Sequence, residues 1–325
     1  MKPIKCLPLA VATMLAMGAF CPQKTFAQVP PRFYWKTLSD ANAVPLIFQS
    51  LSGNSNPFDP SHLVEPGGNV DATLIMAGYA RTFTLWNRSA MAAVLVPMGR
   101  ISGQVTAAGK VVNQSASGFG DPMAEFDLNV LGPPAQKDLP ALLRYKPGFS
   151  VDILGDLAFP IGEYQSTQPL NLGQHRWYGR VGAPIIWQLG PWVPGRRTTL
   201  EFLPCVWLFG TNNNYLGQTK KTDPVVQIEG HLTRDLTEHF WAALDGFWYN
   251  GGRTSINGVS GSKVNSFSVG FTAGYQINDN LGLTAGYKST VNDHSPGALR
   301  MDRFMVSLVV GWHPLIEGFG RLKKN

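Results

Sequence analysis

The sequence predicts an all-β protein, a closed antiparallel transmembrane β-barrel of about 12 strands behind a cleaved signal peptide. Three observations lead there. Within residues 264–287 every second side chain is apolar or aromatic from Phe267 through Val269, Phe271, Ala273 and Tyr275 to Ile277, and the intervening row is Ser, Gly, Thr and Gln. Period-two alternation belongs to a strand with one apolar face. Charged residues make up only 15% of the chain, against ~25% in ordinary soluble domains, so something other than charge covers much of the exterior. Long and short connections alternate along the chain, the pattern of barrels with long outer loops and short periplasmic turns.

Lys2 and Lys5 precede an apolar run over residues 7–20, and Thr25-Phe26-Ala27 offers a small residue for cleavage before Gln28. This is the layout of a Sec signal, with a run broken by Pro8 and shorter than the ~20 residues a spanning helix needs. Residues 1–27 are expected to leave, taking Cys6 and Cys21, so that Cys205 remains alone and no internal disulfide can form. Lys2, Lys5 and Lys24 leave with them and no acid does, so the formal charge of +6 shrinks and argues for no nucleic-acid partner. No later segment reads as a transmembrane helix, and the other structure that can cross a bilayer is a closed barrel.

Residues 28–43, with Phe33, Tyr34 and Trp35 together, form a periplasmic lead-in without predicted secondary structure. The first strand is expected over 44–50. The following Gly53-Asn54-Ser55-Asn56-Pro57-Phe58-Asp59-Pro60 is turn chemistry, a plainer reading than a cation site built from Asn54, Asn56 and Asp59. Strands are expected over 71–85 and 88–98, then a long loop over 99–117, a strand over 121–131, a proline-containing link and a strand over 149–159. After a long loop over 162–173 come strands over 177–189 and 198–209, separated by a compact Pro/Gly turn. A long polar loop over 211–222 precedes strands over 225–234 and 239–249, and another loop over 251–263 precedes the hairpin of 264–287. A loop over 292–301 and a strand over 303–312 complete a barrel of residues 44–313, with a C-terminal tail over 314–325.

Trp177 and Trp187 share parity and stand ten residues apart, a rise of roughly 23 Å on a tilted strand, which suits aromatic rims of an apolar band. Trp312 closes a similar row, and these three tryptophans are the expected membrane girdle. The opposite faces would line the lumen with Glu125, Asp127, Asp152, Asp156, Arg180, Glu201, Glu229, His231, Asp245 and Lys288, because charges at mid-strand are not tolerated towards lipid. Seven carboxylates against two bases give either a polar conduit with an acidic bias or a paired network filling a narrow barrel.

No enzyme is expected. Gly258-Val259-Ser260-Gly261-Ser262 lacks the last glycine of a nucleophile elbow, Gly118-Phe119-Gly120 lacks a third glycine, and no histidine pair has zinc spacing. No cofactor or metal is implied. At Ser117-Gly118-Phe119-Gly120-Asp121-Pro122 the sequence resembles the outer-membrane family of meta-pathway phenol-degradation proteins, a family also labelled transporter. The resemblance runs in order through GYARTFTL, RSAMAAVLVPMGR, SGFGDPMAEFDLNVLGPP, LAFPIGEY, NLGQHRWYGRVG, WYNGG and VSLVVGWH. It implies a barrel in the bacterial outer membrane and uptake of aromatic compounds, and supplies no catalytic or ligand-binding residues. The expected function is diffusion of small molecules, aromatic acids or other hydrophobic solutes, through a polar lumen. The alternatives are a closed barrel with a structural or surface-interaction role and, less favoured, an outer-membrane hydrolase. Expected partners are membrane lipids, the solute and the barrel-assembly machinery, with the protein a monomer.

Overall fold

In the computed structural model the residues described are 30–64, 68–107, 110–291 and 298–314. The expected signal peptide, most of the expected tail and much of the expected 292–301 loop lie outside them. The first staves are β1 (Asn42–Gly53), β2 (Asn69–Leu85) and β3 (Arg88–Ala107), followed by β4 (Lys110–Phe119) and β5 (Met123–Leu131). A single turn of helix, α1 (Leu139–Arg144), begins at Asp138, whose side chain accepts from Ala141 N at 2.7 Å as a helix cap. Then come β6 (Phe149–Ala158), β7 (Tyr178–Gly182), β8 (Ile185–Gln188), β9 (Thr198–Phe209), β10 (Asn212–Tyr215) and β11 (Gln218–Thr222). The chain ends with β12 (Val225–Asp235), β13 (Phe240–Gly251), β14 (Thr254–Ile256), β15 (Val259–Ser260), β16 (Val264–Asn278), β17 (Leu281–Thr290) and β18 (Met301–Trp312).

The sheet is antiparallel and closes on itself through β18 and β1, which pair from Asn42↔Trp312 to Gly53↔Met301. Because β4 and β5 form one stave and β7 and β8 another, the ring has 12 staves. Its outer surface is the apolar row of each strand. Val44, Leu46 and Phe48 of β1 and Phe267, Val269, Phe271, Tyr275 and Ile277 of β16 are exposed, and the residues between them are mostly buried in the lumen. One end, the turn end, carries the two-residue turn Trp86-Asn87, both with positive φ, as a tight type I′ connection requires. The other, the loop end, carries most of the longer connections, the exception being the 132–148 link with α1, which lies at the turn end where Ala135 N donates to Asn87 O.

Three expected loops are hairpins instead. Residues 99–117 continue β3 and double back as β4, and 211–222 and 251–263 supply β10, β11, β14 and β15, a separate four-stranded sheet at the loop end. Beyond Met98 the apolar Ile101 and Val105 of β3 are buried inward while Arg100, Ser102 and Gln104 take the other face, so the outward apolar row that signals a strand inside a bilayer is missing. The expected strand 177–189 starts at Tyr178 and is interrupted at Ala183-Pro184. Asp152 N donates to Pro184 O at 2.8 Å and Ala183 N to Pro204 O at 3.0 Å, but neither proline can return the second bond of its pair. The pairing register is nonetheless unbroken across the interruption, from Gly182↔Cys205 to Ile185↔Phe202.

Candidate functional site

The lumen is filled by two chain segments that fold inward, one from each end. From the turn end, the lead-in turns back inside the barrel. Arg32 pairs with Asp235 at 2.6 Å, and its backbone N–H donates to Glu201 at 2.9 Å, as does Trp35 Nε1 at 2.8 Å. Lys36 binds Asp152 closely and Asp127 at 3.5 Å. The segment is fixed to the wall by the bridge Leu38↔Gln136, by Ser39 N to Gln136 O at 2.8 Å and by His313 Nε2 against Ser39 O at 2.7 Å.

From the loop end, residues 54–64 fold down over the lumen. Asp59 accepts from Arg176 Nη2 at 3.0 Å and Lys220 Nζ at 2.7 Å, and all three residues are buried. Asn54 spans to Ala298 O and Arg300 N, both at 2.8 Å, while Asn56 binds Asn171 O at 2.7 Å and Phe58 N at 2.9 Å. The side chains weighed as cation ligands are thus occupied by protein donors and acceptors, and among the described residues no group of His, Cys, Asp and Glu could hold a metal ion.

Arg180 of β7 stands at mid-lumen between these segments. It binds Asp156 through Nε and lies 3.6 Å from Glu125 and 3.8 Å from Glu229, and Nη2 donates to Tyr34 OH of the lead-in at 3.4 Å. On the far wall, His231 Nδ1 meets Asp245 at 2.6 Å, and Thr272 donates to the other oxygen of Asp245 at 2.6 Å. Lys288 lies 4.0 Å from the centre of the Phe247 ring, a cation–π contact. Gly270 pairs with both Asp245 and Lys288, and an added Cβ there would lie 3.1 Å from Lys288 Cβ, so the small inward row of β16 leaves room for this pair.

A cavity of about 90 Å³ remains between the lead-in and the 54–64 cap. Phe33 forms part of its turn-end side and Phe58 and His62 part of its loop-end side, with Leu74, Met76 and Leu172 among the apolar wall residues. Its polar surface comes from Arg180, Glu125, Asp156, Gln227 and Asp121. The ten charged residues expected in the lumen are all buried inside the barrel, and the structure gathers Glu125, Asp156, Arg180 and Glu229 into one cluster, joined through Glu229 to His231 at 3.8 Å and so to Asp245. Asp127, Asp152 and Glu201 meet the lead-in, and Lys288 stands by Phe247. Trp177 and Trp187 are half exposed on the outside, each against a phenylalanine, Phe159 at 5.4 Å and Phe149 at 6.5 Å; Trp312 lies 6.3 Å from Tyr79 at the turn end.

Residues 49–308 match the family model described as "Putative MetA-pathway of phenol degradation". The chain belongs to this family. An outer membrane channel from Pseudomonas putida F1 has the same fold, with a TM-score of 0.69 at 14% identity over 88% of this chain and 100% of that one. Two autotransporter structures are more distantly similar. They are the transport unit of AIDA-I from Escherichia coli (TM-score 0.42, 10% identity, 94% of this chain and 97% of that one) and the β domain of the Bordetella BrkA (0.44, 8%, 84% and 100%). No curated protein matches the chain. With its closed sheet and apolar outer rows, this phenol-degradation family member is a barrel of the bacterial outer membrane.

Sequence reasoning missed that counter-charges in this family member come from its own lead-in, and that Asp59 of the cap answers Arg176 and Lys220. Arg32 and Lys36 answer the carboxylates of the turn-end half, so the acidic bias expected from the strands alone is offset. The cap also carries a proton-sensitive group. Burial, with Lys288 adding to it and Asp59 opposing, pushes the His62 imidazole down to about 3 from the usual 6.5, and its ring packs edge-on against Tyr249 at 4.4 Å. A histidine neutral in the closed cap and free to protonate in water makes closure strongest above pH 6.5 and weaker as pH falls from 6.5 towards 3. Lowering pH from 7 to 5 should therefore favour cap opening by about 25-fold. The check is the labelling rate of Pro57→Cys in a Cys205→Ser barrel, and His62→Gln should flatten the response.

Proposed function

We propose that this barrel is an outer-membrane channel for small, largely apolar solutes, aromatic compounds among them. It is shut in this conformation by the lead-in on the periplasmic side and by the 54–64 cap on the outer side. The observation that carries the reading is the apolar chamber itself, which lies mid-lumen and is closed off by two chain segments rather than by the barrel wall. The lead-in is joined to the wall mainly through charge pairs and a few hydrogen bonds, contacts that can be exchanged for water more readily than a packed apolar core.

Single-channel conductance in planar bilayers tests this. The refolded mature barrel should be nearly silent or open briefly, whereas a barrel that begins at Ala41 and also carries Asp59→Ala to free the cap from Arg176 and Lys220 should conduct steadily. Leu38→Cys with Gln136→Cys, facing each other across an isolated bridge, should lock the lead-in when oxidised and release it on reduction, in a Cys205→Ser background. If the shortened barrel is properly inserted and as silent as the intact one, the channel reading is wrong. The paired lumen charges then favour a permanently closed barrel with a structural or surface-interaction role.

A further inference from the structure

We propose that the chamber selects solutes by head group, accepting ring-sized molecules with a neutral hydroxyl and turning away their carboxylate counterparts, through Arg180 flanked by Glu125 and Asp156. This rests on the chamber being the solute site argued above.

The three residues occupy one rung of the wall, Glu125↔Asp156↔Arg180 across β5, β6 and β7, and all three border the chamber. Each is more than nine-tenths buried. Each also keeps one polar atom without a hydrogen-bond partner: Nη1 of Arg180, Oε1 of Glu125 and Oδ1 of Asp156. Buried polar atoms are almost always satisfied, because leaving one bare forfeits its hydration. Three bare atoms on one rung beside a cavity point to a guest that supplies both a donor and an acceptor.

A hydroxyl does both, accepting from the guanidinium and donating to a carboxylate oxygen. A carboxylate can only accept. It would also enter a site where Glu125, Asp156 and Glu229 already surround a single guanidinium, and repulsion between like charges is strong away from water. A solute with no polar group leaves the three atoms bare. The rest of the chamber suits a ring, with Phe58, Leu74, Met76 and Leu172 on its sides. Its volume, about 90 Å³, is below the roughly 150 Å³ of a protein cavity that takes up benzene, so even a single ring enters only as the cap or lead-in gives way.

The experiment is ligand-observed saturation-transfer NMR on the refolded mature barrel in lipid nanodiscs at pH 7, with phenol, benzoate and toluene as probes and empty nanodiscs as the partition control. Phenol should bind saturably, at least ten-fold more tightly than benzoate and more tightly than toluene. Glu125→Gln with Asp156→Asn should weaken phenol and strengthen benzoate ten-fold or more, since the guanidinium then loses its nearest opposing charges. Benzoate equal to or tighter than phenol in the native barrel, or toluene equal to phenol, overturns the head-group proposal while leaving the chamber as a solute site. No saturable binding of any probe, or binding unchanged by Leu172→Trp, which fills the cavity, overturns the chamber reading as well. The three-probe comparison on the native barrel decides even where the double variant fails to refold.

Discussion

Arg180→Met should prevent most of the protein from reaching a stable barrel. Arg180 is the cation within 4 Å of Glu125, Asp156 and Glu229, all of which are buried. Removing one partner of a buried ion pair costs about 3–5 kcal/mol because the remaining charge keeps its desolvation penalty without compensation. Here Glu125 and Asp156 lose their cation together, and Glu229 is left with His231 at 3.8 Å and Gln227. The change should appear as loss of the compact, heat-modifiable form on cold gel electrophoresis after refolding. Glu125→Gln, Asp156→Asn and Glu229→Gln added to Arg180→Met should restore that form, since an uncharged cluster has no such penalty. A single Arg180→Met variant as heat-resistant as the native barrel would show that the lumen is wet enough to solvate the acids.

Asp59→Ala is expected to release the cap, again by about 3–5 kcal/mol, because it leaves Arg176 and Lys220 buried without the carboxylate that lies 2.7–3.0 Å from them. Burial alone would raise the pKa of Asp59, but Lys220 and Arg176 outweigh it and hold the carboxyl far below its usual range. A depressed carboxylate contributes stability that is present above its unfolded pKa of ~3.9 and is lost only as pH falls through the folded value. The Asp59 tie should therefore survive mild acid, in contrast to the His62 contribution, which weakens in the same range. Limited proteolysis of intact proteoliposomes should show new cutting within 54–64 in Asp59→Ala at pH 7. Absence of cutting would mean that Asn54 and Asn56 hold the cap without it.

The barrel was legible because its exterior is written with period two. Rows such as Phe267 to Ile277 face outward from β16, and in β9 the expected bounds of 198–209 coincide with the strand. Legibility fails where the chain leaves the bilayer. Lys220 and Lys221 on β11, or Gln114 and Ser115 on β4, alternate polar with polar, so β4, β10, β11, β14 and β15 carry no apolar row to read. The inward turn of residues 30–41 had no local signal, since its partners lie up to 274 positions away in the sequence. A clue was present in the charge count. Strands that supply seven acids and two bases to a closed space need cations from elsewhere, and Arg32 and Lys36 lie just ahead of the first strand. The cap was read as turn chemistry, which its backbone obeys, but nothing in Asn54 to Asp59 shows that Arg176 and Lys220 wait across the lumen.

The lead-in is covalently continuous with β1, the strand that closes the ring against β18. Once displaced it remains a ligand on a leash of a few residues, and its return is a unimolecular event. For so short a tether the local concentration at the vacated site is on the order of millimolar. Opening would then be independent of how many barrels the membrane holds, and a free peptide of residues 30–41 would have to approach that concentration to silence a barrel that lacks its own. Individually modest contacts suffice to keep such a segment seated, because the chain has already met most of the entropic cost of finding its site.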